Sequence, residues 1–403
     1  MLRIRSRLGF SGVSRPAWIL LAGNALDAVG LGIFFPILPL FVEHRGGTPL
    51  LVGVIGASAL VGNVLAQAPG GWLADRYDRR LIVVASIAAY GAFFLVYLIP
   101  IPVQVLPFVR FLHAGVGGFY MPAARALLAD YTPPDRRGMI FGHWQASSMG
   151  GFLIGPTIGG LLALVRLDLV FVSSAIAGGL GALLLSTLPP GLARDEAGRY
   201  EGPTGLPKVE RHLLWLLLPA ILAGAAYQYL GGVYGATWVL YVTALGGSPL
   251  IAGLSLSLYS LPLVLFSAAA GGLTDRYGVR LSVALTLFFS ALFATFYLLT
   301  RSIPVVLVLG VIEAFLTLGG MPAVLAEISR IVPSAQQGRA QGIFNIFTVG
   351  TQAAGSLVGG YLFGYGIAYP FASGAVVCLI ALAAIPFLGR NRQASEPAPV
   401  AAC

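Results

Sequence analysis

Charge is what this chain has least of. Aspartate, glutamate, lysine and arginine make up 10% of its 403 residues, where a soluble domain carries roughly 25%. So little charge cannot coat a water-exposed surface, which argues against a soluble globular protein. Lysine is almost absent, with Lys208 alone. The two cysteines, Cys378 and Cys403, are placed in the last apolar run and at the C-terminus, so no disulfide framework is expected. Those cysteines and the four histidines are scattered and have no metal-ligand spacing. There is no Walker sequence, so ATP is not expected to drive this protein. No serine–histidine–acid arrangement stands out. The expectation is therefore a protein that is not an enzyme and has no cofactor.

What is present is apolar chain: 57% hydrophobic residues and a mean hydropathy of +0.87. A membrane helix needs ~20 apolar residues. Twelve such runs are legible, near 17–42, 49–74, 81–101, 104–129, 140–165, 169–188, 213–244, 249–272, 281–300, 304–328, 340–363 and 368–388. They do not alternate apolar and polar residues, as the ~10-residue strands of a membrane barrel would. The predicted fold is all-α, with twelve transmembrane helices in two six-helix bundles. The predicted bundles are residues 1–188 and 213–388, with a Pro-, Gly- and charge-rich linker at 189–212 and a disordered tail at 389–403.

The net charge of +9 invites a nucleic-acid reading, and its distribution rejects it. With the N-terminus in the cytoplasm, the inner segments hold Arg76, Arg79, Arg80, Arg136, Arg137, Arg276, Arg280, Arg330, Arg339 and most other basic residues. The outer loops hold only Arg45, Arg166 and Arg301. This is the positive-inside asymmetry, and it puts both termini in the cytoplasm. The Arg-rich start resembles a signal peptide. Its apolar run is too long for one and contains Asp27, so it is read as an uncleaved first helix. The Ala-, Gly- and Arg-rich, nearly lysine-free composition suggests a bacterial chain in the cytoplasmic membrane.

The strongest internal signal is a repeat. Gly71-Trp72-Leu73-Ala74-Asp75-Arg76-Tyr77-Asp78-Arg79-Arg80 returns 200 residues later as Gly271-Gly272-Leu273-Thr274-Asp275-Arg276-Tyr277-Gly278-Val279-Arg280. The same register relates Gly46-Gly47 to Gly246-Gly247, Met121-Pro122-Ala123 to Met321-Pro322-Ala323, and Gly155, Gly159 and Gly160 to Gly355, Gly359 and Gly360. Two related membrane bundles in one chain point to a secondary transporter.

These residues resemble the major facilitator superfamily over nearly the whole chain. The family's motif between helices 2 and 3 is matched at Gly71, Leu73, Ala74, Asp75, Arg76, Arg79 and Arg80, with Asp78 in place of the usual glycine. In the fourth run Arg110 and Gly115 match a further motif, with His113 in place of glutamine. Gly151, Gly155, Pro156, Gly159 and Gly160 resemble the fifth-helix motif of the superfamily's antiporters. Asp27 in Leu26-Asp27-Ala28-Val29-Gly30 is similar to the first helix of the tetracycline and multidrug efflux branch. The resemblance implies that helices 1, 4, 7 and 10 surround a central cavity. It also implies that the charged turns (Asp75, Arg76, Arg79 and Arg80, with Asp275, Arg276 and Arg280) latch an outward-open state. Asp130 and Arg125 are candidates to join that cluster. The plainer reading of the turns is a topology anchor.

A charge at mid-bilayer costs ~2.5–3.5 kcal/mol on insertion scales and persists where it faces a cavity or a partner. Asp27, His113 and Glu313 all fall near the midplane, and the repeat pairs His113 with Glu313. They are expected to face one water-filled site, with Asp27 the first choice for proton coupling, Glu313 the second and Arg110 a relay. An acid poised between desolvation and a nearby cation can exchange a proton near neutral pH. The plainer reading is a carboxylate permanently paired with Arg110 or His113. The glycine face of the fifth run is expected to form a tight seam that resists proton leak. Tyr120, Trp144, Gln145, Tyr227, Tyr259 and Asn345 are candidates to line a substrate pocket, although such aromatics also serve as packing or interface residues.

The function expected is proton-coupled efflux of amphiphilic or cationic small molecules by a monomer in a lipid bilayer, with protons the driving partner and nucleic acid excluded. The alternative is a proton-coupled sugar or metabolite exporter or symporter of the same fold. A membrane sensor or enzyme would need an extramembrane domain or a polar catalytic cluster, and neither is legible.

Overall fold

A computed structural model describes residues 13–189, 211–333 and 336–388, with the side chains of 211, 212, 267–273 and 275 outside that description. The expected linker, apart from its first residue and its last two, and the expected tail lie outside the described residues. Every regular element among the described residues is helical. In hydrocarbon an isolated segment must satisfy its backbone internally, and a helix does so.

The helices are α1 (Arg15–Phe34), α2 (Ile37–His44), α3 (Pro49–Arg76), α4 (Arg79–Val96), α5 (Leu106–Asp130), α6 (Arg137–Val165), α7 (Leu167–Leu185), α8 (Arg211–Ala244), α9 (Pro249–Tyr277), α10 (Val279–Leu299), α11 (Ile303–Thr317), α12 (Gly320–Ile331), α13 (Gln337–Phe363) and α14 (Tyr369–Leu382). Ten stretches are long and apolar enough to cross a membrane; α1 with α2 forms one, and α11 with α12 another. The two remaining spans are α5 and α13, of 25 and 27 residues. Their polar side chains, Arg110, Arg125 and Asp130 in α5 and Gln341, Asn345 and Gln352 in α13, dilute their hydropathy. All twelve expected spans are thereby accounted for.

Local chemistry sets the ends. Ser14 caps α1 by accepting from the Ala17 N–H at 3.3 Å. Prolines occupy the first turn of α1, α5, α11 and α14, where a missing N–H costs nothing. Gly46 and Gly246 take positive φ values of 77° and 89° between consecutive spans, a conformation other residues resist.

The described residues cluster into two compact units. One draws on Met1–Gly47, Ser58–Glu201 and Gly247–Ser260; the other on Thr48–Ala57, Gly202–Gly246 and Leu261–Cys403. This division differs from a split at the linker, because the first turns of α3 and of α9 each join the unit formed mainly by the opposite repeat. The physical reason is close backbone packing. In the first unit a Cβ on Gly253 of α9 would lie 2.0 Å from the Pro156 carbonyl oxygen of α6. In the second, a Cβ on Gly360 of α13 would lie 2.5 Å from the Pro49 carbonyl oxygen of α3.

Candidate functional site

Asp27 lies midway along α1 and is half-buried. No hydrogen bond or ion pair reaches its carboxylate from any described residue. The permanent partnership with Arg110 or His113 is therefore absent. One turn earlier, Asn24 is buried and ties α1 to α6: its amide donates to Ser147 Oγ at 2.7 Å and Ser148 Oγ at 2.8 Å. The helix bearing Asp27 is thus pinned just beside a free carboxylate.

His113 corrects the expectation of a water-facing group. It is 0% exposed and boxed by the rings of Phe34, Tyr90, Phe93, Phe94 and Tyr97 at centroid distances of 4.2–6.0 Å. Its Nε2 lies 3.0 Å from the Tyr90 carbonyl oxygen. A carbonyl only accepts, so Nε2 carries the proton. Nδ1 then accepts from Arg110 Nη1 and from the Tyr97 hydroxyl, each at 3.3 Å. Arg110 is itself buried and lies over the Phe34 ring, 4.9 Å from its centroid. No carboxylate pairs with it among the described residues.

Glu313, on α11, is 2% exposed, which likewise differs from a water-facing group. Its two oxygens accept separately, Oε1 from the Tyr234 hydroxyl at 3.1 Å and Oε2 from the Tyr297 hydroxyl at 2.8 Å. Trp238, Tyr241 and Phe371 surround those tyrosines. These aromatic partners were missed in the sequence. The signal was available in the repeat: Phe34, Phe41, Tyr97, His113 and Phe171 answer to Tyr234, Tyr241, Tyr297, Glu313 and Phe371 at the same offset of 200.

At the charged turn of the first unit, Arg79 is the hub. Its Nη1 lies 2.5 Å from Asp130 Oδ2, and its Nη2 lies 3.6 Å from Asp75 Oδ1. Its Nε donates to the Ala74 carbonyl at 3.0 Å. Arg76 instead stacks on the Trp72 ring at 4.3 Å. Arg80 donates to the Ser186 carbonyl just past α7, and its counterpart Arg280 donates to the Leu388 carbonyl past α14. Arg125 is exposed and makes no ion pair with a described residue, so it stands apart from the cluster. A Cβ on Gly71 would meet nothing within 4 Å, so packing does not demand that glycine here. Asp78 caps α4 by accepting from the Arg80 N–H at 2.9 Å. Gly278 begins α10 with φ +88° and no such cap. Burial, then the charge of Asp78, pushes the Tyr131 phenol beside this turn above its ordinary pKa. Arg276 lies 5.4 Å from the Tyr277 ring centroid; the Asp275 side chain lies outside the description.

The fifth-span glycines do form a seam, and its partner is α1. A Cβ on Gly151, Gly155 or Gly159 would come within 2.5, 2.7 and 2.1 Å of Ala28, Gly32 and Ile33 respectively. Gly160 faces the start of α9, 2.5 Å from the Pro249 carbonyl oxygen by the same measure. Pro156 sits between, and Thr157 Oγ1 shares a 2.8 Å hydrogen bond with Ser257 Oγ of α9.

Of the pocket candidates, Tyr120 and Trp144 are 5% and 3% exposed and belong to an apolar core with Leu127, Leu128 and Ile140. They stack at 5.9 Å and are packing residues, because α1, α5 and α6 close over them. Gln145 and Asn345 are exposed, at equivalent positions of α6 and α13, and Tyr227 and Tyr259 are half-buried.

Sequence comparison agrees with this geometry. The family description Major Facilitator Superfamily matches residues 20–240 and again 220–402. The chain belongs to the Major Facilitator Superfamily. Within the superfamily it is similar to the class G tetracycline resistance protein of Vibrio anguillarum, at 29% identity over 82% of this chain and 86% of that one. Multidrug resistance protein 1 of Bacillus subtilis (strain 168) is 26% identical over 91% of this chain and 94% of its own length. Solved superfamily folds superpose throughout. A bacterial homologue of the human lysosomal transporter Spinster gives a TM-score of 0.76 at 15% identity, covering 96% of this chain and 100% of that one. A D-xylose–proton symporter gives 0.70 at 18%, covering 93% and 96%. At such identities the structures attest the fold.

Proposed function

We propose that this superfamily member is a proton-coupled efflux antiporter for amphiphilic or cationic small molecules, working by alternating access and driven by the proton gradient alone. The observation that carries this reading is Asp27, a half-buried carboxylate in a membrane span with no protein partner among the described residues. A carboxylate persists in a membrane helix where it faces a cavity or a partner. With no partner, its counterpart is a proton or a cationic substrate, and competition between the two at one carboxylate is exchange. Glu313 and Arg110, the latter held by the neutral His113, serve as the buried charged groups that respond to it. The resistance names of the relatives support efflux, and the fifth-span glycine seam agrees with the antiporter motif. The protein acts as a monomer in the bacterial cytoplasmic membrane, with both termini in the cytoplasm and no enzymatic step.

The test is transport into everted vesicles under an imposed pH gradient, using cationic fluorescent drugs. Wild type is expected to move drug in proportion to the gradient, and Asp27→Asn to lose that movement. Equal transport by Asp27→Asn would remove Asp27 from coupling. If no drug in the panel moves at any gradient, metabolite export replaces drug efflux.

A further inference from the structure

The first repeat carries a polar lock that the second lacks. Asn24, on α1, is 3% exposed, and its amide nitrogen donates to Ser147 Oγ and Ser148 Oγ of α6. Both serine hydroxyls donate in turn to the Trp144 carbonyl, at 2.7 and 3.3 Å. The amide oxygen accepts from the Tyr120 hydroxyl of α5 at 3.5 Å, a long and weak bond. That buried hydroxyl has no other partner among the described residues. Asn24, Ala28 and Gly32 recur every four residues and meet Ser147, Gly151 and Gly155, which do the same. Asn24 is therefore the polar rung of the glycine seam. At the equivalent places the second repeat has Gly224, Phe347, Thr348 and Gly320. A Cβ on Gly224 would lie 2.6 Å from the Phe344 ring, so α8 meets α13 there through that ring and the Thr348 methyl. Packing at this level does not require an amide, and the lock stands in the repeat that bears Asp27.

Asp27 follows Asn24 by three residues, a spacing that puts the two Cβ atoms about 5–6 Å apart on a helix. The phenols of Tyr120 and of Tyr90, from α4, are within electrostatic reach of Asp27. The other titratable groups packed around α1 stand farther off. Arg110 and His113 lie against Phe34, about two turns on. His143 lies beside Trp18, more than two turns back. Asp168 pairs with Arg166 past the end of α6, Glu43 and His44 end α2, and the remaining charges of α4, α5 and α6 lie toward the charged turn. A seam of glycines leaves one helix free to turn on another, whereas a single buried amide fixes register. We propose that Asn24 is a positioning residue for Asp27: it fixes the rotation of α1 on α6 and holds the Tyr120 hydroxyl, so that the carboxylate stays without a protein donor and open to a proton or a cationic substrate. The consequence for transport rests on the exchange reading above; the positioning does not. Without Asn24 the phenol loses its acceptor and turns to the free one a turn away, Asp27. A donor to the charged form favours that form, so protonating Asp27 then takes a more acid medium.

The experiment uses the purified full chain in lipid nanodiscs. A pH titration by difference infrared spectroscopy follows the protonated-carboxyl band that disappears in Asp27→Asn. Asn24→Ala and the bulkier, fully apolar Asn24→Leu are each expected to move its midpoint toward acid by about half a pH unit, the equivalent of one interhelical hydrogen bond in a membrane. Adding Tyr120→Phe to either should restore the wild-type midpoint, which a loss of packing alone would not do. A midpoint unchanged in both Asn24 variants overturns the proposal, and so does a shift that persists with Tyr120→Phe. The pH profile of drug transport in everted vesicles should move in step with the infrared midpoint. An infrared shift with an unchanged transport profile would uphold the positioning and remove Asp27 from coupling, which separates failure of the exchange reading from failure of this one.

Discussion

The two repeats build the same aromatic cluster around opposite chemistry. In the first, Phe34 and Tyr97 flank His113 and the cation Arg110, and Phe171 packs on both rings. In the second, Tyr234, Tyr297 and Phe371 stand at the equivalent places, the buried group is Glu313, and Gly310 replaces the arginine. Aromatic shells are conducive to either outcome. Their rings fill volume, and their hydroxyls can donate to a carboxylate or to an imidazole nitrogen. The duplication therefore preserved the container and exchanged the content, so that one unit buries a cation and the other an acid. The same economy appears beside each cluster. Arg45 donates to the carbonyls of Tyr97, Ile99 and Ile101, and in the second repeat the Tyr241 hydroxyl donates to those of Tyr297 and Thr300.

The sharpest way to break this comparison is to empty the acidic cluster. Glu313→Ala removes the carboxylate that accepts from the Tyr234 and Tyr297 hydroxyls and opens a cavity, for an expected loss of about 2–5 kcal/mol. Glu313→Gln keeps an oxygen and the volume, and should lose less than about 1.5 kcal/mol. Thermal melting in detergent separates them, and equal losses would show that the hydroxyl contacts carry no weight. If Glu313 also responds to the coupled proton, Glu313→Gln will melt nearly as wild type yet transport poorly.

A smaller effect distinguishes the two tyrosines. Tyr297 donates to a carboxylate at 2.8 Å and Tyr97 to an imidazole at 3.3 Å. Hydrogen bonds to charged groups contribute about 1.5–3 kcal/mol and neutral ones about 0.5–1.5. Tyr297→Phe should therefore lower the melting temperature more than Tyr97→Phe, and the reverse order would contradict the assignment of Glu313 as the stronger acceptor.

The smallest effect concerns the charged turns. Arg79 pairs with Asp130, whereas the equivalent positions hold Val279 and Arg330. Arg79→Val should cost about 1 kcal/mol, and Val279→Arg with Arg330→Asp should return no more than that to the second turn. Raising salt should shrink both changes in melting experiments, because these groups are partly solvated.

Much of this was legible in the chain itself. Twelve apolar runs, the 200-residue repeat and the charged turns follow from composition and spacing, because a membrane span must be apolar, helical and long enough. Asp27 was legible as a candidate for the same reason: an acid in such a run has to face something. His113 and Glu313 were found by register and misjudged in environment, since spacing along a helix does not say which neighbouring rings close over a side chain. Tyr120 and Trp144 were misassigned on the same ground, as amphipathic aromatics suit a pocket and a core equally well.

The sequence by itself determined the class, the number of spans and the duplication, because those depend on local hydropathy and periodicity. Only the tertiary structure decided which charges are paired. Arg79 found Asp130 across 51 residues, Glu313 found Tyr234 across 79, and Asp27 found no partner among the described residues. Pairing is a property of distance in space, and close packing of glycine faces such as Gly155 on Gly32 sets those distances to within an ångström or so.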